Sequence, residues 1–222
     1  MGELQAAAIV LAAGAGHRLG SDVPKALVKV AGVPMVTRAV RTAAAVADLI
    51  VVAAPAGDEE PVRRALDGGS GARVVAGGPT RQASVRAALE SIPSDRELIV
   101  VHDAARPFAS RALFEAVVAA VVAGIDGVVP VLAISDTIKR VQAGRVVATE
   151  DRAELGLAQT PQAFRARVLR EAHAHAASAG IDLTDDAAVL EWAGRRVAVV
   201  PGEPGNFKVT TPADLERAGA GE

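Results

Sequence analysis

The chain contains no cysteine and no tyrosine, and only one tryptophan and four phenylalanines among its 222 residues. Without cysteine, disulfides and thiolate metal sites are excluded, and a reducing compartment suits such a chain. So few rings remove the stacking platforms that single-stranded nucleic acid uses. A net charge of −2 offers no basic surface for a duplex. No apolar run reaches the ~20 residues that cross a bilayer. The first residues, MGELQAAAIVLAAG, place an acid and no basic segment ahead of the apolar run, which argues against a secretory signal. These absences lead us to expect a cytoplasmic protein that engages neither nucleic acid nor membrane.

What is present is aliphatic. Half of the residues are apolar, so a core must be assembled from Val, Leu, Ile and Ala. Short β-branched runs predict strands at Ala8–Ala12, Leu49–Ala54, Arg73–Val75, Leu98–Val101, Gly127–Val131 and Arg196–Val200. Between them, Met35–Ala47, Glu59–Leu66, Arg81–Ser91 and Arg111–Ala123 carry apolar residues at helical spacing. IVVAAP and LIVVHD are continuously apolar, as strands covered on both faces of a parallel sheet should be. The alternation predicts a layered α/β fold with ligands at the carboxyl ends of the strands. No internal repeat or low-complexity linker divides residues 1–222, so one domain is expected. Ser135–Ala148 breaks the rhythm with two β-prone arms around Gln142-Ala143-Gly144, which predicts a hairpin. An arm reaching another chain and an edge hairpin on its own sheet satisfy that pattern equally.

The stretch from Val10 to Pro34 is the most informative. Gly14, Ala15 and Gly16 follow the first strand, where bare backbone N–H groups can converge on phosphate oxygens. It is not a dinucleotide fingerprint, because Gly20 comes four rather than three residues after Gly16, and Ala53-Ala54-Pro55 offers no acid for a ribose. Nor is it a P-loop, since Gly20 precedes Ser21 and Asp22 rather than Lys and a hydroxyl residue. What remains is Arg18 and, seven residues on, Lys25 behind Pro24, which stiffens the turn. Two cations beside backbone donors suit a triphosphate whose α-phosphorus gains negative charge in a transition state.

Other polar clusters fall at the same sheet edge. VHDAARPF, Val101 to Phe108, places His102, Asp103 and Arg106 after a buried strand. Asp103 can hold a divalent cation or a sugar hydroxyl, whereas Ser110 is the nearer cap for the following helix. His102 has no second ligand at metal spacing and is read as a packed histidine; His173 and His175 are read as solvated on a surface helix. In GGPTRQASV, Gly77 to Val85, Thr80 or Ser84 begins a helix, either as an ordinary cap or as a nucleotide contact. Asp136, Thr137 and Lys139 in the hairpin region and Asp151-Arg152 beyond it form a second polar set, for which surface charge is the ordinary account. Lys208 is expected on a short strand, pointing into a site or snorkelling at an edge. Thr211 is expected to cap a helix opened by Pro212.

LAAGAGHRLGSDVPKAL, VHDAARPF, SDTIKR, QTPQAF, LTDDAAVLE and NFKVTTPADL, in this order and spacing, resemble the 2-C-methyl-D-erythritol 4-phosphate cytidylyltransferases (IspD family) along essentially the whole chain. The resemblance implies a single-domain Rossmann-like, glycosyltransferase-A-like fold with a mixed, mostly parallel sheet and a projecting arm over residues 134–153. It implies transfer of a cytidylyl group from CTP to methylerythritol phosphate in the non-mevalonate isoprenoid pathway, with Mg2+ as cofactor. Arg18 and Lys25 match the family's transition-state stabilisers. Ala12, Ala13, Gly14, Gly78 and Ser84 fall where the family binds CTP. Asp103 matches the aspartate near metal and substrate, with Arg106 in the same stretch. Thr137 and Arg152 match arm residues that bind methylerythritol phosphate across a homodimer, and Lys208 matches a second positioning residue. Two positions depart from the pattern: Gly156 replaces an aromatic residue after the arm, and Pro79 replaces a polar one; His17 has no implied role. A ribitol 5-phosphate cytidylyltransferase would share Arg18, Lys25 and Asp103. A catalytically silent nucleotide-binding regulator would have no need of the full charge set.

Overall fold

The computed structural model describes residues 5–14, 23–66 and 70–220. In chain order it runs β1 (Ala6–Leu11), β2 (Lys29–Val30), β3 (Val33–Pro34), α1 (Met35–Ala43), β4 (Leu49–Ala54), α2 (Glu59–Leu66), β5 (Arg73–Ala76), α3 (Arg81–Glu90) and β6 (Leu98–Asp103). There follow α4 (Arg111–Val122), β7 (Gly127–Ala133), β8 (Ile138–Gln142), β9 (Arg145–Glu150), β10 (Gly156–Ala158) and β11 (Gln162–Arg165). The chain closes with α5 (Ala166–Ser178), α6 (Asp186–Trp192), β12 (Val197–Pro201) and α7 (Pro212–Ala220).

One eight-stranded sheet organises the molecule. β5, β4, β1 and β6 are parallel neighbours, and β11 enters antiparallel between β6 and β7. Val128 pairs with both Ala163 and Ala198, and Val131 with both Ala158 and Pro201. β10 and β11 therefore share one edge of β7, and β12 takes the other. The expected α/β architecture, mixed and mostly parallel, is what forms.

Strand alternation explains the layers. On β1, Ala6, Ala8 and Val10 pack on one face with Val36 and Val40 of α1 and Phe114, Val117 and Val121 of α4. Ala7 and Ile9 face the opposite layer, with Val85 and Leu89 of α3, Leu169 of α5 and Leu190 of α6. Both faces are buried, as the continuous apolar runs required. The small Ala side chains of β1 let helices close on a central strand without large rings.

The predicted elements form with shifted ends. β1 begins two residues earlier than expected, β6 extends through His102 and Asp103, and α1 stops at Ala43, before a turn. Lys208 is corrected: Asn206 to Thr210 carries no strand, and its backbone is tied to the body through the Val209 N–H bond to the Ala105 carbonyl at 2.8 Å. Among the described residues no strand pairs with this segment, so no ladder forms. His173 is also corrected. It is buried, because it lies on the inner face of α5 and bonds to Asp186 of α6 at 2.9 Å, while His175 is exposed beside Trp192.

The predicted hairpin forms as β8 and β9, a two-stranded sheet separate from the main one, turning at Ala143 and Gly144 with φ of 49° and 75°. Positive φ at both central residues matches strand twist in a two-residue turn. Val141, Val146 and Val147 are exposed on it, Val146 by 62 %. Gly156 fits its place, since a Cβ there would press into Val131.

Candidate active site

Three strand ends build a cavity of about 460 Å3 at the carboxyl edge of the sheet. β1 delivers Ala12, Ala13 and Gly14, the turn after β5 delivers Gly78 to Arg81, and β6 delivers Asp103 to Ala105. Lys25, Lys208 and Thr210 complete the polar lining. Lys25 opens a single 3₁₀ turn, Lys25–Leu27, directly behind Pro24, and is half-buried on the cavity wall. The stiffened turn expected there is present.

Each wall has a local cause. Gly77 and Gly78 run so close to α3 that a Cβ on Gly78 would lie 2.5 Å from the Ala83 Cβ, so a side chain there would force the turn off the helix. Thr80 caps α3, accepting the Ala83 N–H at 3.1 Å. Ser84 is buried, with its hydroxyl 2.9 Å from the Thr80 carbonyl and accepting the Gly78 N–H at 3.1 Å. Ser84 thus shapes the wall formed by the turn after β5, and its hydroxyl is already engaged. Ala12 is engaged likewise, its N–H donating to Ala53 at 2.8 Å, so the open shelf is Ala13 and Gly14.

Asp103 sits at the centre. Lys208 Nζ donates to its Oδ2 at 2.6 Å and Arg81 Nε to its Oδ1 at 3.4 Å, while its backbone N–H donates to Thr160 Oγ1 at 3.0 Å. Burial pushes the carboxyl upward, but Arg81 and Lys208 outweigh it and hold it well below the usual carboxylate range. Asp103 is an anion at any physiological pH. Beneath it, burial lowers His102 to about 4, so the ring is neutral. Its Nε2 lies 3.1 Å from the Arg106 carbonyl, which can only accept, leaving Nδ1 to take the Thr160 hydroxyl proton at 3.1 Å. The packed-histidine reading describes this ring.

Several expected residues are placed elsewhere. Arg106 does not line the cavity; its guanidinium donates to the Asn206 carbonyl at 2.7 Å and the Ala158 carbonyl at 3.2 Å, fastening the 203–206 turn to the sheet. Thr137 and Arg152 are exposed at the base of the arm and do not line the cavity; Arg152 donates to the Ser135 carbonyl. Arg18 and His17 lie outside the described residues. Arg81 and Thr210 line the cavity without having been singled out in the sequence. The signal for Arg81 was there: a cation in a helix's first turn opposes the macrodipole and needs a reason.

A magnesium ion can be weighed against the donors present. Among the described residues no group of three His, Cys, Asp or Glu side chains gathers at metal spacing. Mg2+ commonly keeps waters and uses one or two carboxylates plus substrate phosphates. A single ionised Asp103 lining the cavity with Lys25 and Lys208 offers the one carboxylate that such an ion needs.

A glycine-lined shelf, two lysines and a buried aspartate at the ends of parallel strands are the marks of an α/β nucleotidyltransferase-type site. Residues 6–221 match the family described as 2-C-methyl-D-erythritol 4-phosphate cytidylyltransferase (IspD), and the chain belongs to that family. A protein of that name from Frankia casuarinae is 46% identical over 217 residues, covering 96% of this chain and 80% of the relative. A bifunctional enzyme IspD/IspF of Rhodopseudomonas palustris strain BisB18 is 46% identical over 217 residues, covering 95% of this chain and 54% of the relative. The chain thus spans about half the length of that bifunctional relative. The crystal structure of 2-C-methyl-D-erythritol 4-phosphate cytidylyltransferase from Thermus thermophilus superposes with a TM-score of 0.82 at 37% identity, covering 96% of each chain.

Proposed function

We propose that the chain transfers the cytidylyl group of CTP to 2-C-methyl-D-erythritol 4-phosphate. A phosphate oxygen of the acceptor forms a bond to the α-phosphorus of CTP as the bond from that phosphorus to the bridging oxygen breaks, and pyrophosphate leaves with the electron pair. The observation carrying this reading is the convergence of Lys25, Asp103 and Lys208 on one cavity beside the Ala13-Gly14 shelf. The CTP phosphates lie along that shelf, and Lys25 faces the charge that grows on the α-phosphorus, a role that the family resemblance extends to Arg18. Gly78 and the wall held by Ser84 receive the nucleoside.

Asp103 would hold a magnesium ion, which when bound would supply charge neutralisation at the phosphates. Lys208 has a side chain 42% exposed and serves the acceptor phosphate as well as Asp103. Thr137 and Arg152 come to the site from a second copy of the chain, whose arm presents the exposed Val141, Val146 and Val147 for pairing; the working unit is a homodimer. Arg106 contributes by fastening the turn that leads to Lys208. Among the described residues no helix is long and apolar enough to cross a membrane.

The test is pyrophosphate release from each of four nucleoside triphosphates with methylerythritol phosphate or ribitol 5-phosphate as acceptor. Release only with CTP and methylerythritol phosphate is the expected result. Preference for ribitol 5-phosphate would reassign the acceptor, and tight CTP binding without release would make the chain a binding protein.

A further inference from the structure

Arg81 lies at the first position of α3 with its guanidinium between two carboxylates. Its Nε is 3.4 Å from Asp103 Oδ1 and its Nη1 is 2.7 Å from Asp186 Oδ2. Asp186 is fully buried, and its other oxygen lies 2.9 Å from His173 Nε2, so the cation is anchored from inside the molecule. Planar guanidinium suits this bridge, because its donors leave in fixed directions toward separate acceptors. The result is a continuous ladder from His173 through Asp186 and Arg81 to Asp103 and Lys208.

The two cations on Asp103 are not equivalent. The Lys208 side chain is 42% exposed and has one carboxylate partner; Arg81 is 23% exposed and tied to a second, buried carboxylate. An incoming phosphate competes for the more exposed ammonium far more readily than for the anchored fork. Once Lys208 turns to the acceptor, Asp103 would lose one of its restraints while its exact orientation matters most.

We propose that Arg81 is a positioning residue: braced by Asp186, it holds the Asp103 carboxylate in place while Lys208 is shared with the substrate. This rests on the cytidylyl-transfer reading. It differs from a direct nucleotide contact, because Asp186 stands behind Arg81 and has no place on the cavity wall. Both residues are then required for the same step.

The experiment compares wild type, Arg81→Gln, Arg81→Lys and Asp186→Asn, after urea unfolding identifies which variants are folded. In turnover, Arg81→Gln and Asp186→Asn should each lower kcat roughly 10- to 100-fold, the range typical when a carboxylate loses its supporting partner, with KM for CTP changed less than about threefold. Arg81→Lys keeps the charge but cannot span both carboxylates, so it should fall between. A second readout needs no turnover: Mn2+ titrated into the protein–CTP complex and followed by electron paramagnetic resonance should bind roughly tenfold more weakly in the same variants. Folded variants with wild-type kcat and Mn2+ affinity overturn the proposal. So does a raised CTP dissociation constant in the Arg81 variants alone, which would make Arg81 a nucleotide ligand. Should Arg81→Gln not fold, Arg81→Lys carries both readouts. If wild type binds Mn2+ with CTP but releases no pyrophosphate, the cytidylyl-transfer reading fails, and the Mn2+ series still decides for or against Arg81.

Discussion

At the scale of single residues, the charges a buried group meets decide its ionisation. His102 and Asp103 are chain neighbours with opposite outcomes. The ring has only neutral partners on its nitrogens and lies tilted against Phe114, with ring centroids 5.0 Å apart, so burial wins and it stays neutral. The carboxylate has two cations and stays charged. A pH consequence follows for His102. Its folded-state value of about 4 lies below the 6.5 of a free ring, so the unfolded chain takes up the proton first as pH falls. Stability is therefore unaffected above pH 6.5 and declines between there and pH 4, by roughly 3 kcal/mol at the full difference. Urea unfolding at pH 7 and pH 4.5 should show this loss in wild type and a clearly smaller one in His102→Gln; equal losses would remove His102 as the source.

At the scale of elements, the site depends on how segments begin. α3 begins at the Thr80 cap, and α4 at Ser110, whose side chain accepts the Leu113 N–H at 3.0 Å, as its place before the helix predicted. α7 begins with a reciprocal cap: Thr211 Oγ1 accepts the Asp214 N–H at 3.2 Å, and Asp214 Oδ2 accepts the Thr210 and Thr211 N–H groups at 2.9 and 2.8 Å. Backbone and hydroxyl donors from Thr210 and Thr211 hold that carboxyl below its usual range. This cap lies just beyond Lys208, so it also fixes the segment carrying the lysine. Asp214→Ala should lower stability by about 1 kcal/mol, the usual loss for a cap, and raise KM for the acceptor phosphate more than KM for CTP. Urea denaturation and steady-state kinetics measure the two effects; unchanged kinetics would uncouple the cap from Lys208.

At the scale of the whole molecule, one chain does not bring all its expected substrate contacts together. Thr137 and Arg152 stand at the arm's base, away from the cavity that Lys25 and Asp103 line. In the proposed homodimer, each arm completes the other copy's site. Lys25→Ala should lower kcat by roughly 10²-fold or more if it faces transition-state charge, and Arg152→Ala should raise KM for methylerythritol phosphate. A purified heterodimer of the two variants concentrates both defects in one site and leaves the other intact, so it should recover roughly half of wild-type turnover under a two-fold exchange of arms. No recovery from verified heterodimers would put Arg152 in its own chain's site.

Much of this was legible before any coordinates. Continuous apolar runs such as the LIVV of LIVVHD specified the buried parallel strands, because a strand covered on both faces is apolar at successive positions. Local stereochemistry specified the turn behind Pro24, the two-residue hairpin at Ala143-Gly144 and the cap at Thr211, since each depends only on neighbouring φ values and donors. The face of α5 that holds His173 was legible, since the ring lies four residues after Leu169 and three before Ala176; its partner was not, because only the packing of α6 brings Asp186 to the ring. The same holds for the Asp103 constellation. Its partners Arg81 and Lys208 lie 22 and 105 residues away in sequence. Spacing along a chain determines what a segment becomes, but which charges meet depends on how strands are ordered across the sheet, and only the folded chain sets that.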